Sequence, residues 1–387
     1  MFALFRLGFR PFFLFAALFS VIAMSVWMAA IVFSVRVNSS EIPSLFWHAH
    51  EMVYGYALAV VAGFLLTAVR NWSGIQTIHG RALAALLLLW LLARLAMLMP
   101  YPQAVFAGMI LDGLFIVLLS IALTIPVIQA RSWKNMGVIS KVYFFLAGHL
   151  LYALGVIEGN SDKMRIGVYI GLYMILSLIL VLARRVLPMF IERGVAYAVN
   201  LKNHLAVDIA CFLLFLVFAV VDIFFAMPAL TAWLAAALCV LHGIRLWGWH
   251  TLGLWRRPLV WVLYLAYGWI VAGFGLKFLS FITGIPSSLA IHAFSVGGIG
   301  MMTLGMMSRI SLGHTGRDVM HPPSGVALMF FVLALGAVVR VVFPLLLAGH
   351  YALWLGLSQA LWIAAFAIFL YLYGAMLLRP RIDGQWG

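Results

Sequence analysis

The stretch Trp47-His48-Ala49-His50-Glu51-Met52, followed by the apolar run from Val53 to Val69, decides the fold class. A helix needs about 20 predominantly apolar residues to cross the hydrocarbon of a bilayer, and this run comes close to that length with two histidines and a glutamate at its mouth. Ionisable groups are costly in such a setting, and the default reading is a functional site. The plainer readings are an interfacial histidine pair facing water and a helix cap.

Composition widens that reading to the whole chain. Of its 387 residues, 66% are hydrophobic and 9% are charged, whereas a soluble domain carries about 25% charged residues. Apolar runs recur at 12–35, 47–69, 81–99, 104–128, 138–157, 165–187, 204–226, 228–246, 258–283, 288–310, 324–348 and 351–378. None alternates with the period of a membrane strand. The expectation is an all-α, polytopic transmembrane helical bundle of about twelve helices. The first run is too long for a signal-peptide core and lacks a small-residue cleavage pattern, so it reads as the first span. The chain reads as one integral membrane domain, 1–387. Its longest polar connection, Arg184 to His204, divides it into six helices and six, with halves at 1–190 and 191–387.

Lysine and arginine orient the bundle. One face collects most of them, among them Arg6, Arg10, Arg184, Arg185, Arg379 and Arg381; the other holds Arg36, Lys163 and Arg165. The positive-inside rule then places both termini in the cytoplasm. The net charge of +14 reflects this topology and the anionic membrane lipids it meets, not nucleic acid. Cys211 and Cys239 lie in apolar runs without CxxC spacing and read as buried small residues.

His48 and His50 begin the second span, His292 begins the tenth, and His314 follows the tenth. At about 1.5 Å per residue, His292 and His314 stand about 33 Å apart, so four histidine ligands imply two sites, one near each face. His48 and His50 diverge by about 200° on an ideal helix, so a shared centre requires the helix start to unwind. His48 shares a face with Glu51, Met52 and Gly55, continued by Ala59, Ala62 and Gly63. Such a strip admits a second helix, the commoner case, or a flat macrocycle. Ser295, Gly297, Gly298, Gly300 and Gly305 thin the tenth span in the same way. Its Met301, Met302, Met306 and Met307 read as adaptable core more often than as thioether ligands. Neutral imidazole suits haem iron and copper alike. Arg10, Arg70, Arg309 and Arg317 offer cations for haem propionates, or are simple positive-inside bias.

Four ordered blocks then resemble the NnrS family. They are Gly8-Phe9-Arg10-Pro11-Phe12-Phe13; Trp47 to Met52 with Ala62 to Ala68 and Asn71-Trp72-Ser73-Gly74; His292-Ala293 with the Gly/Met-rich helix; and Gly313-His314-Thr315-Gly316-Arg317. The resemblance runs from residue 8 to about 317. It implies a multi-pass protein of the bacterial inner membrane that binds haem b and copper and acts in denitrification and nitric oxide defence. It implies His48, His50, His292 and His314 as metal ligands, with Asn71, Arg309 and Arg317 as further cofactor-binding residues. Reduction of nitric oxide would consume protons, for which Glu51 with Tyr54 is the expected catalytic route. The residues name no electron donor.

Two departures stand out: Tyr264 where members often carry histidine, and Arg70 where they carry proline. The first removes a possible ligand. His79, His149, His204, His242, His250, His321 and His350 match none of the blocks and read as structural or solvated. Two other classes remain open. A non-catalytic haem protein for nitric oxide sensing or electron transfer would use the same ligands. A secondary transporter would use Asp112, Lys277 and Arg340 within the spans.

Overall fold

A computed structural model describes residues 2–35 and 41–387 of the chain. Arg36, expected on the less basic face, lies outside the described residues. Among these residues every regular element is helical, and twelve helices are long and apolar enough to cross a membrane. They are α1 (Phe9–Val32), α2 (Ser44–Ser73), α3 (Gly80–Leu98), α4 (Pro102–Gln129), α5 (Trp133–Glu158) and α6 (Ser161–Gly194). There follow α7 (Leu205–Phe224), α8 (Pro228–Gly248), α9 (Pro258–Thr283), α10 (Ser288–His314), α11 (Val326–Leu346) and α12 (Ala348–Leu378).

Local chemistry explains the boundaries. Pro102, Pro228 and Pro258 open α4, α8 and α9, where the missing N–H has no helical partner to lose. Gly74, Gly159 and Gly284 close α2, α5 and α9 in the left-handed region, at φ 73°, 64° and 75°, which glycine adopts without a Cβ penalty. The expected polar connection starting at Arg184 is overturned in its first half. Helix α6 continues through Arg184 and Arg185 to Gly194, because arginine favours helix as well as most apolar residues do while hydropathy registers only its charge.

The chain clusters into two compact units. The first comprises Met1–Ile175, Ile310–Arg317 and Phe366–Gly387, and the second Leu176–Arg309 and Asp318–Ala365. One boundary between them falls inside α6. In the first unit α3 packs on α4, α4 on α5 and α1 on α2. In the second, α9 packs on α8 and on α10, and α7 on α8. Outward-facing Leu88, Leu92 and Leu95 of α3 and Ile110, Leu114 and Ile121 of α4 are exposed, as lipid-facing side chains are.

The strips of small residues serve close packing. A Cβ on Gly55 would meet Phe19 at 2.7 Å, and one on Gly63 would meet Phe12 at 2.9 Å. In α10, Trp269 fills the space beside Gly297 and Trp362 that beside Gly300. Met301, Met302 and Met307 are core residues. The commoner reading of both strips is the one that the packing bears out.

Candidate metal centre

Helix α2 is α-helical from Ser44 to His50, π-helical from Glu51 to Ala57, and α-helical again from Leu58. It neither unwinds nor joins its two histidines. The His48 ring stacks on Trp27 of α1, 4.4 Å between centroids and 7° between planes. His50 turns the other way, into the first unit. There it meets Arg94 of α3, Asp112 of α4 and His149 of α5, and with Glu51 these five residues are at most 2% exposed.

Hydrogen bonding fixes which ring nitrogens carry protons. Arg94 Nη1 donates to Glu51 Oε2 at 2.6 Å, and Nη2 donates to Asp112 Oδ2, so both carboxylates are paired as anions. The other Glu51 oxygen accepts from His50 Nδ1 at 2.9 Å. His149 Nε2 donates to the Met109 carbonyl at 2.9 Å, since a carbonyl oxygen can only accept. In the neutral rings the remaining nitrogens, His50 Nε2 and His149 Nδ1, are therefore both acceptors. They face each other at 3.4 Å, and Asp112 Oδ2 lies 3.9 Å from His50 Nε2.

Two imidazole lone pairs and a carboxylate oxygen thus converge with every ligand atom within 4.8 Å of the others. Nothing among these three groups supplies a positive charge or a proton between them. The formal charges also fall short: two carboxylates face one guanidinium. Buried charge without a partner costs on the order of several kcal/mol per ion. A cation, either a metal ion or a proton, completes the arrangement. The far nitrogen of each ring is already tied to an oxygen, as in metal-ligating histidines. Imidazole with carboxylate suits copper, zinc or iron.

Aromatic groups close the site. Tyr54 and Tyr152 stack on the His50 ring at centroid distances of 5.0 and 4.5 Å. The Tyr54 hydroxyl donates to the Gly167 carbonyl at 2.6 Å, and that of Tyr152 to the Phe46 carbonyl at 3.0 Å. Glu51 and Tyr54, expected as a proton route, do flank the centre, but their polar atoms are committed to Arg94, His50 and Gly167.

The other expected residues lie elsewhere. His292 of α10 donates from Nδ1 to the Ser288 carbonyl at 2.7 Å, and its Nε2 accepts from Arg340 Nη2 at 3.2 Å. Arg340 Nη1 is buried without a partner. A π-helical segment, Ala293–Gly300, follows His292 directly, as another follows His50. His314 packs on Phe9 at 5.6 Å. Arg309 covers the Phe190 ring at 3.8 Å, Asn71 is exposed at the end of α2, and Arg317 reaches its own turn at the Thr315 carbonyl. Arg10 donates to the Met376, Leu377 and Arg379 carbonyls, capping α12.

Arg94, Asp112 and His149 were not joined to His50 by sequence reasoning. The available signal was that charges within apolar spans pair with one another, which links Arg94 to Asp112. The transporter candidates are likewise paired: Asp112 with Arg94, Lys277 with Asp222 at 2.7 Å, and Arg340 with His292.

The family model described as NnrS protein matches residues 3–381. No curated protein matches the chain.

Proposed function

Because the chain belongs to the NnrS family, we propose that it is a haem- and copper-binding protein of the bacterial inner membrane, acting in nitric oxide metabolism or nitrosative stress defence. The observation that supports the metal half of this reading is the opposition of His50 Nε2 and His149 Nδ1 at 3.4 Å. Those two nitrogens with Asp112 would hold copper, and Glu51 orients His50 from behind. The same donor set suits zinc; the family resemblance selects copper.

For haem, His292 would hold the iron: its Nδ1 proton is tied to the Ser288 carbonyl, and Nε2 would exchange its bond from Arg340 for the metal. The unpartnered Nη1 of Arg340 suits an anionic propionate. A bound haem would supply a one-electron centre and a site for nitric oxide. The chain's own contribution is to orient the two histidines and to exclude water with Tyr54 and Tyr152.

One observation favours a non-catalytic variant, in which nitric oxide is sensed or electrons are passed. Glu51 and Tyr54 hold their protons and lone pairs in fixed bonds, which leaves neither available to carry protons to a reaction. The test is a reduced-minus-oxidised spectrum of detergent-purified protein, with and without nitric oxide, together with metal analysis. Wild type is expected to show a b-type haem and copper, with copper lost in His50→Ala and His149→Ala. Anaerobic nitric oxide consumption separates the variants of the reading: equal rates in wild type and His50→Ala sink a catalytic role for His50. Protein without a chromophore, expressed with adequate haem, returns the transporter to the front.

A further inference from the structure

The second unit holds a cavity of about 200 Å³ that the metal reading does not use. Its wall includes Arg184 and Arg185 of α6, Asp208 and Phe212 of α7, and His242 and Arg245 of α8. His242 is 1% exposed. Its Nδ1 meets the Tyr267 hydroxyl at 2.6 Å, and Arg245 Nη1 donates to the same hydroxyl at 3.1 Å. A guanidinium only donates, so the phenol oxygen accepts from Arg245 and turns its own proton to His242. Neutral His242 then carries its proton on Nε2, and that nitrogen is buried without a partner. Arg245 Nε is in the same condition.

The carboxylate on the wall does not meet this need. Asp208 Oδ2 accepts from Arg184 Nε at 2.6 Å and Oδ1 from Arg245 Nη2 at 2.8 Å. Arg184 and Arg245 share the one aspartate between them, so this part of the wall has a surplus of positive charge and of donors. An acceptor-rich anion satisfies both. We propose that this cavity binds the phosphate group of an anionic phospholipid. Arginine forks match phosphate geometry, and basic pockets between transmembrane helices hold such headgroups. Phe212 lines the cavity at 45% exposed, and Leu205 and Ile209 continue an exposed apolar surface on α7. Acyl chains have a place beside the headgroup there. A free phosphate ion shares the headgroup chemistry, so the test must separate the two sources.

The full chain, purified in detergent, is titrated with phosphatidylglycerol, with phosphatidylcholine and with inorganic phosphate. Native mass spectrometry and the unfolding midpoint are the readouts. Phosphatidylglycerol is expected to be retained and to raise the midpoint. His242→Phe keeps the ring stacked on Phe274, now at 5.7 Å, and removes the donor. Arg185→Gln alters an exposed side chain on the wall of the cavity. Each is expected to weaken binding about ten- to hundredfold, the range for losing one hydrogen bond to a charged group. Arg256→Gln, exposed and off the cavity, is expected to bind as wild type. Inorganic phosphate that displaces the lipid and raises the midpoint alone overturns the lipid source. Equal retention of phosphatidylcholine, no binding of any probe, or wild-type binding in both variants overturns the site.

Discussion

At the scale of single side chains, Arg94 holds the centre together. Its two terminal nitrogens divide between Glu51 and Asp112, so its removal leaves two carboxylates buried and unpaired. Breaking a buried pair costs about 3–5 kcal/mol. Arg94→Met is expected to lower the unfolding midpoint accordingly, and Arg94→Lys to fall between it and wild type, since a lysine keeps the charge but not the fork. Glu51→Gln tests a subtler role. If His50 ligates a metal, its carboxylate partner raises its basicity, and loss of such a partner costs about 10–100-fold in metal affinity. Copper titration of folded Glu51→Gln protein checks this, and unchanged affinity removes Glu51 from the site. His50 and Glu51 were legible in the sequence because they stand together at the mouth of an apolar run. Asp112, read only as a transporter group, and His149 were not joined to them, because each stands in a different span. Only the packing of α4 and α5 beside α2 makes them neighbours.

At the scale of helices, hydropathy located all twelve spans but not their internal register. It cannot see the π segments Glu51–Ala57 and Ala293–Gly300, because a change in hydrogen-bond spacing leaves composition untouched. Both follow a histidine that the family resemblance singled out, and π segments are frequent at functional sites. The crossing of α5 and α6 is the second feature hidden from composition. A Cβ on Gly167 would lie 2.6 Å from the Gly148 carbonyl oxygen and 2.7 Å from Tyr152 Cβ. Gly167→Ala must push the helices apart, at about 1–3 kcal/mol for overpacking. Tyr54 bonds the Gly167 carbonyl and Tyr152 stacks on His50, so copper affinity is expected to fall with the midpoint. A loss of stability alone would separate the crossing from the centre.

The tail after α12 offers a pH test at the same scale. Arg381 donates from Nε to Asp383 Oδ1 at 2.9 Å and from Nη1 to the His314 carbonyl at 3.3 Å. Its hydrogen bond pulls the Asp383 carboxyl down to about 2. A carboxyl depressed in the folded state contributes fully above its unfolded value of about 3.9, and that contribution is lost as pH falls through the folded value. The Gln385 amide, which donates to Asp383 Oδ1 at 3.2 Å, should keep its exchange protection from pH 7 to pH 4 after correction for intrinsic rates. Release near pH 5 contradicts the pairing.

At the scale of the whole molecule, orientation follows from parity and charge. If each of the twelve candidate spans crosses the membrane once, parity returns the chain to the face on which it began and puts the α6–α7 connection, after six crossings, on that same face. Lysine and arginine are concentrated there, and translocating them is disfavoured. A fluorescent protein fused after Gly387 is expected to be bright and a periplasm-dependent phosphatase at the same place inactive. The same phosphatase inserted between α5 and α6, beside Lys163 and Arg165, is expected to be active. The reverse pattern would keep the twelve spans but overturn the charge rule for this chain. It would also bear on the lipid cavity, because Arg184, Arg185 and Arg245 stand in the halves of α6 and α8 nearer the α6–α7 connection. Their phosphate would then come from the outer leaflet of the membrane instead of the inner one.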